Sequence, residues 1–219
     1  MTPDYERAAL KAAETLVKYK VDSSPVIPLF ILKQLPNVLV LSFEALSNEL
    51  EKDRQCVISM VGKYNQDSFT TVFMNEGKPH YVVTYNQRLP VFLEQRALAR
   101  ELGHIILGHD GSRPEDIRNE EAICFANHLL VPRALLHSIQ ATNLRLTVEV
   151  LGNLTGCYDH CLSCIRKLPP THVPAELNRQ IRDNFMPYML NFFNYQRVAR
   201  HSDGSALADL GSYMEGYEE

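Results

Sequence analysis

The stretch Leu98–Asp110, reading Leu-Ala-Arg-Glu-Leu-Gly-His-Ile-Ile-Leu-Gly-His-Asp, constrains this chain more than any other. Its apolar residues recur at helical spacing, yet Arg100, Glu101 and His104 are set among them. Pro90 suits the first turn of such a helix, where its missing N–H costs nothing. Gly108, Gly111 and Pro114 mark where the helix ends. Residues four apart share a helical face, so Arg100 and His104 point the same way, with Glu101 about 100° round the axis. A loop over residues 110–116 leads to a second core helix, about Glu120–Leu130, which Pro132 stops.

The remaining chain supplies a scaffold around these two helices. Residues 4–19 read as an amphipathic helix, with Ala8, Leu10, Ala12, Leu16 and Val17 toward a core. A short helix is expected over Leu29–Leu35, a buried strand over Val38–Phe43, and a short helix or loop over Glu44–Arg54. Cys56–Val61, Phe69–Met74 and His80–Thr84 have strand composition. The turn Asn75-Glu-Gly-Lys-Pro79 pairs the last two as a hairpin. Arg133–Gln140 adds a helical turn or two, and residues 147–154 and 157–168 a two-helix unit. Pro169, Pro170 and Pro174 form a linker into a helix over 175–198, which Pro187 is expected to kink or divide. The tail from His201 is polar, acidic and without periodicity, as a mobile segment would be.

Composition excludes several classes of function. A formal charge of −4 gives no general drive toward nucleic acid or anionic membrane. No apolar stretch approaches the roughly 18 residues that span a bilayer. An odd count of five cysteines, with no export signal at the N-terminus, fits reduced thiols in a cytoplasm better than a disulfide framework.

The central stretch nearly spells H-E-x-x-H. In that pattern two histidines four residues apart bind Zn²⁺, and the glutamate acts on the metal-bound water as general base. Glu101 and the second histidine, His104, are in place, but Arg100 stands where the first histidine belongs. A catalytic zinc needs three protein ligands and an open position. The second helix offers Glu121, in Glu121-Ala-Ile-Cys-Phe-Ala-Asn-His-Leu-Leu-Val-Pro132.

These two motifs, in this order and separated by a short loop, resemble those of the ImmA/IrrE family of zinc metallopeptidases, whose pattern is H-E-L-G-H-x-x-L-G-H followed by E-A-x-x-F-A-x-x-L-L-x-P. The resemblance covers roughly residues 5–170. It implies an α+β, zincin-like fold, with a small, mostly antiparallel sheet packed on helices. The family domain would occupy residues 1–170, including a helix-turn-helix-like unit over 144–168. A helical C-terminal extension would follow over 171–219. Carried over by position, the resemblance makes His104 and Glu121 metal ligands and Glu101 the general base. Arg100 departs from it. A guanidinium has no free lone pair and stays protonated, so it cannot ligate a metal. By charge it can stand in for one, bridging Glu121 and Glu101 through its planar fork.

His109 and His128 are the alternative third ligands. Continuing the helix past Gly108 puts His109 about 140° round from His104, facing elsewhere. His128 reads as a partly exposed helix residue. Cys157, Cys161 and Cys164 have iron–sulfur spacing but fall on one helical stripe, where buried thiols act as small hydrophobes. Cys124 is expected in the core for the same reason. The unit over 144–168 lacks the basic second helix that a DNA reader needs, and Asp159 in its first turn would meet phosphate badly.

Two functions stay open. In one, the chain is a zinc metalloendopeptidase that cuts, as the resemblance implies, a helix-turn-helix repressor. In the other, it is a non-catalytic relative that holds such a protein partner in the old substrate groove, without zinc. The sequence does not give the oligomeric state.

Overall fold

The computed structural model describes residues 2–61, 67–140, 152 and 171–202. They fall into two units, one of residues 1–3 and 27–126, the other of residues 4–26 and 127–219. Apart from residue 152, the proposed two-helix unit over 144–168, with Cys157, Cys161 and Cys164, lies outside the described residues, as does the tail after Ser202.

The first unit holds the sheet and both motif helices. Its elements are α2 (Pro28–Leu32), β1 (Val38–Ser42), α3 (Phe43–Glu49), α4 (Arg54–Val61), β2 (Ser68–Asn75), β3 (Lys78–Tyr85), α5 (Val91–Ile106) and the larger part of α6 (Glu115–Leu130). β3 is the central strand of three, in the order β1-β3-β2. It pairs antiparallel with β2 and parallel with β1, so the sheet is mixed. Asn75 faces Lys78 across a two-residue turn in which Glu76 and Gly77 both have positive φ, 50° and 73°. That turn matches the twist of a hairpin and needs a glycine for its second residue.

α4 corrects one expectation. Cys56–Val61 is helical, not a strand, because Asp53 caps it. The Cys56 N–H donates to Asp53 Oδ1 at 2.6 Å, and the Val57 N–H to the Asp53 carbonyl. A local cap outweighs β-rich composition over so short a segment.

α5 packs on β2 and β3, with α2 also against it. Leu98 and Leu102 of α5, Phe43, Val83 and Phe125 are all fully buried. α5 and α6 approach closely at Gly103. A Cβ there would lie 3.0 Å from a Phe125 ring carbon and 3.1 and 3.2 Å from the Ala122 carbonyl oxygen and Cα. Any side chain at Gly103 would push α6 away and carry Glu121, the neighbour of Ala122, with it.

In the second unit, α1 (Tyr5–Lys18) is capped by Asp4, whose side chain accepts from the Arg7 N–H. It buries Ala8, Ala9, Ala12, Ala13 and Leu16. α8 (Ala175–Ser202) packs against α1 and against α7 (Arg133–Gln140). Pro187 does not divide α8, which runs on to Ser202. Ile181, Phe185, Met189 and Phe192 form its buried side, whereas Leu190 is exposed.

Candidate functional site

Glu101, His104, His109 and Glu121 all belong to the first unit, and three different features of the fold position them. Glu101 faces the start of β2. Ser68 and Thr70, alternate residues of that strand, both donate to it: Ser68 Oγ to Oε1 at 2.8 Å and Thr70 Oγ1 to Oε2 at 2.7 Å. Arg100 adds its Nη2 to Oε1 at 2.8 Å and its Nε at 3.2 Å, and the same Nη2 donates to the Ser68 carbonyl. The Glu101 side chain is 4% exposed. A carboxylate this buried is stable only when paired and hydrogen-bonded, and here both oxygens are engaged.

The second device is the end of α5. Gly108 has φ +65°, and beyond it the His109 N–H donates to the His104 carbonyl while the Gly108 N–H donates to that of Ile105. This left-handed cap folds the chain back over the last turn. It brings the His109 ring to within 5.0 Å of the His104 ring, Nδ1 to Nδ1 at 2.9 Å. Extrapolating the helix to residue 109 therefore places His109 on the wrong side. The helix has already ended, and the cap turns the side chain back inward.

Glu121 completes the group from α6. His109 Nε2 lies 3.1 Å from its Oε2, and the side chains are 2% and 1% exposed. Arg113, in the loop before α6, sets its Nη1 2.7 Å from Oε1 and 2.8 Å from Oε2, spanning the carboxylate. The expected bridge from Arg100 to both acids is thus half right. Arg100 takes Glu101, and a second arginine takes Glu121.

For neutral rings, the carboxylate fixes the tautomers. A carboxylate paired with Arg113 only accepts, so His109 donates from Nε2 and offers a bare Nδ1 to the Nδ1–H of His104. The Nε2 of His104 is then left with a lone pair. Burial first, with His109, Arg100 and Arg118 adding to it, pushes the His104 pKa from 6.5 down to about 4 against the pull of Glu101. His104 is therefore neutral at pH 7.

A cleft of about 280 Å³ opens on this group, lined by Glu101, His104, His109, Thr70, Tyr81 and Arg118 among others. Arg100 does not line it. It lines a second cleft of about 210 Å³, beside Leu93, Arg96 and Ile123. Although residues 100 and 104 share a helical face, the guanidinium has turned toward Ser68. His128 takes no part in this group. It is buried rather than partly exposed, its Nε2 lies 3.2 Å from Thr171 Oγ1, and burial beside Arg133 lowers its pKa to about 3. Cys124 is buried in the core, as expected.

The donor set does not fit a zinc ion. Arg100 has no lone pair to give. Glu121 has both oxygens on Arg113. His109 uses its two ring nitrogens in divergent directions, toward His104 and Glu121, so the three side chains form a chain rather than converge on a point. Among the described residues no group of three His, Cys, Asp or Glu could hold a metal ion. Sequence reasoning missed Arg113, Ser68 and Thr70. The two hydroxyls were legible as alternate residues at the start of β2, but nothing local marks Arg113.

Among the described residues no helix is long and apolar enough to cross a membrane. No curated protein and no solved structure matches the chain. Residues 57–154 do match a family model, Peptidase_M78, the IrrE N-terminal-like domain, whose members generally depend on zinc. The match takes in the β2–β3 hairpin, α5, α6 and the whole Glu101–His104–His109–Glu121 group. Over residues 57–154, somewhat under half of its length, the chain is thus similar to the Peptidase_M78 family and reads there as an IrrE N-terminal-like domain.

Proposed function

We propose that this chain is a non-catalytic member of the family, which binds a protein partner at the old substrate cleft and does not cleave it. The observation that carries this reading is Arg100, in the place of the first zinc ligand, with its guanidinium on the Glu101 carboxylate at 2.8 Å. The substitution removes a ligand and also occupies the group that would serve as general base. The partner is a helix-turn-helix repressor or a similar protein, the class that the family resemblance implies. Support for a docking role comes from β2, an edge strand of the described sheet, whose exposed Val72 lines the cleft and whose exposed Phe73 and Met74 continue beyond it.

A second reading is an active zinc endopeptidase with a rebuilt site, and the inward turn of His109 favours it. For that ring to serve as the third ligand it must leave Glu121 or His104, and Arg113 must leave Glu121. The test is the zinc content of the full chain, purified without chelator, together with its effect on a helix-turn-helix repressor. The first reading expects no stoichiometric zinc and an intact repressor that co-elutes with the chain. About one zinc per chain, with cleavage abolished by a chelator, establishes the second.

A further inference from the structure

We infer that Arg113 is a second, independent lock on the metal position, so that restoring a histidine at residue 100 does not by itself restore zinc binding. This rests on the non-catalytic reading above and extends it from one residue to two. Arg113 does more than neutralise Glu121 from a distance. Its Nη1 is 2.7 and 2.8 Å from the two carboxylate oxygens, the place a chelating cation would take. Glu121 is 1% exposed, so it has little water to turn to in exchange.

The arginine is also held in place. Its Nη2 donates to the Thr2 carbonyl at 3.3 Å. Its own carbonyl accepts from Arg118 Nε at 3.0 Å, and the Arg118 N–H donates to the Pro114 carbonyl. Gly111, at φ +88°, and the Ser112 N–H on Asp110 Oδ1 shape the preceding turn. The charge balance gives the same result. A zinc ion would bring two positive charges to a site with two carboxylates. Here each carboxylate has its own guanidinium, Arg100 on Glu101 and Arg113 on Glu121, and removing one arginine leaves the other acid still compensated.

The test is zinc binding by the full chain, measured by competition with a fluorescent chelator and by metal analysis. The wild type is compared with Arg100→His, and with Arg100→His combined with Arg113→Met or with Arg113→Gln. Circular dichroism and melting curves establish that each variant is folded, and the two replacements guard against the failure of either. Arg100→His alone is expected to stay substoichiometric. The double variants are expected to take about one zinc per chain and to bind it on the order of 10–100-fold more tightly than the single, the scale of a partner that acts on a ligand. Zinc bound equally well by Arg100→His and the double variants overturns the second lock while leaving the non-catalytic reading intact. Folded double variants that remain empty overturn it as well. Stoichiometric zinc in the wild type overturns the non-catalytic reading itself.

Discussion

Acid should destabilise this fold through His104, by an amount that can be worked out beforehand. The ring is neutral in the fold, with its pKa lowered from 6.5 to about 4, chiefly by burial. In the unfolded chain it takes up its proton near 6.5, so between these values the unfolded state binds more protons than the folded one. The sign follows: stability is intact above about pH 6.5, falls as the pH drops below it, and has lost the full contribution once the pH is below about 4. Between pH 7 and pH 5 the linkage amounts to about 2 kcal/mol, rising to about 3 kcal/mol when both states are protonated. The assay is urea denaturation of the metal-free chain at pH 7, 6 and 5, for the wild type and for His104→Asn. Asparagine keeps an N–H donor for His109 but does not titrate. The variant should lose about 2 kcal/mol less than the wild type over this range. An equal loss in the two proteins would refute the reasoning, since it would show that the His104 ring is hydrated or already protonated in the fold.

His128 should behave in the same way over a wider range, down to its folded value of about 3, and His128→Gln should flatten that part of the acid response. Gly103→Ala forces a methyl group against the Ala122 backbone, and is expected to cost about 1–3 kcal/mol, read as a lowered melting temperature. An unchanged melting temperature would mean that α6 yields freely. Arg100→Met leaves Glu101 buried with only Ser68 and Thr70. The loss should be about 1–3 kcal/mol in urea titration, below the full cost of breaking a buried pair because the arginine is 23% exposed. Added zinc should leave the melting temperature of the wild type unmoved, because a ligand raises it only by binding the folded state; a rise that saturates at one equivalent would contradict that expectation.

The parts of this molecule legible in its sequence were those encoded locally. α1, α5, α6 and α8 follow from apolar spacing and their punctuation, and the hairpin from the turn over 75–79 with its Gly77 and Pro79. α4 is not legible in this way, because its composition favours a strand while one residue, Asp53, decides for a helix. Of the two effects expected of Pro187, a kink or a division, division does not occur, because Ile181, Phe185, Met189 and Phe192 bury one side of α8 through it. Within the site, the motif gave Glu101, His104 and Glu121, and the structure groups them. It did not give the partners of the two acids. Arg113 is eight residues from Glu121, and Ser68 lies 33 residues before Glu101. Such pairs are set by packing, which spacing does not carry. His109 lies between these cases: Gly108 marks the end of the helix in the sequence, but the direction in which a left-handed cap turns the next side chain is set by the backbone fold and not by residue spacing.

The cap at Gly108 also gives the site a history within folding. His104 and His109 are five residues apart, and their approach is fixed by backbone hydrogen bonds that come with the end of α5. Glu121 reaches His109 only when α6 has docked across Gly103. One half of the group is therefore a local product of helix termination and the other a product of tertiary closure. Helix formation takes on the order of a microsecond, ahead of the slower docking of packed elements. The pairing of the imidazoles therefore depends on the end of one helix, whereas the reach of the carboxylate depends on the packing of two.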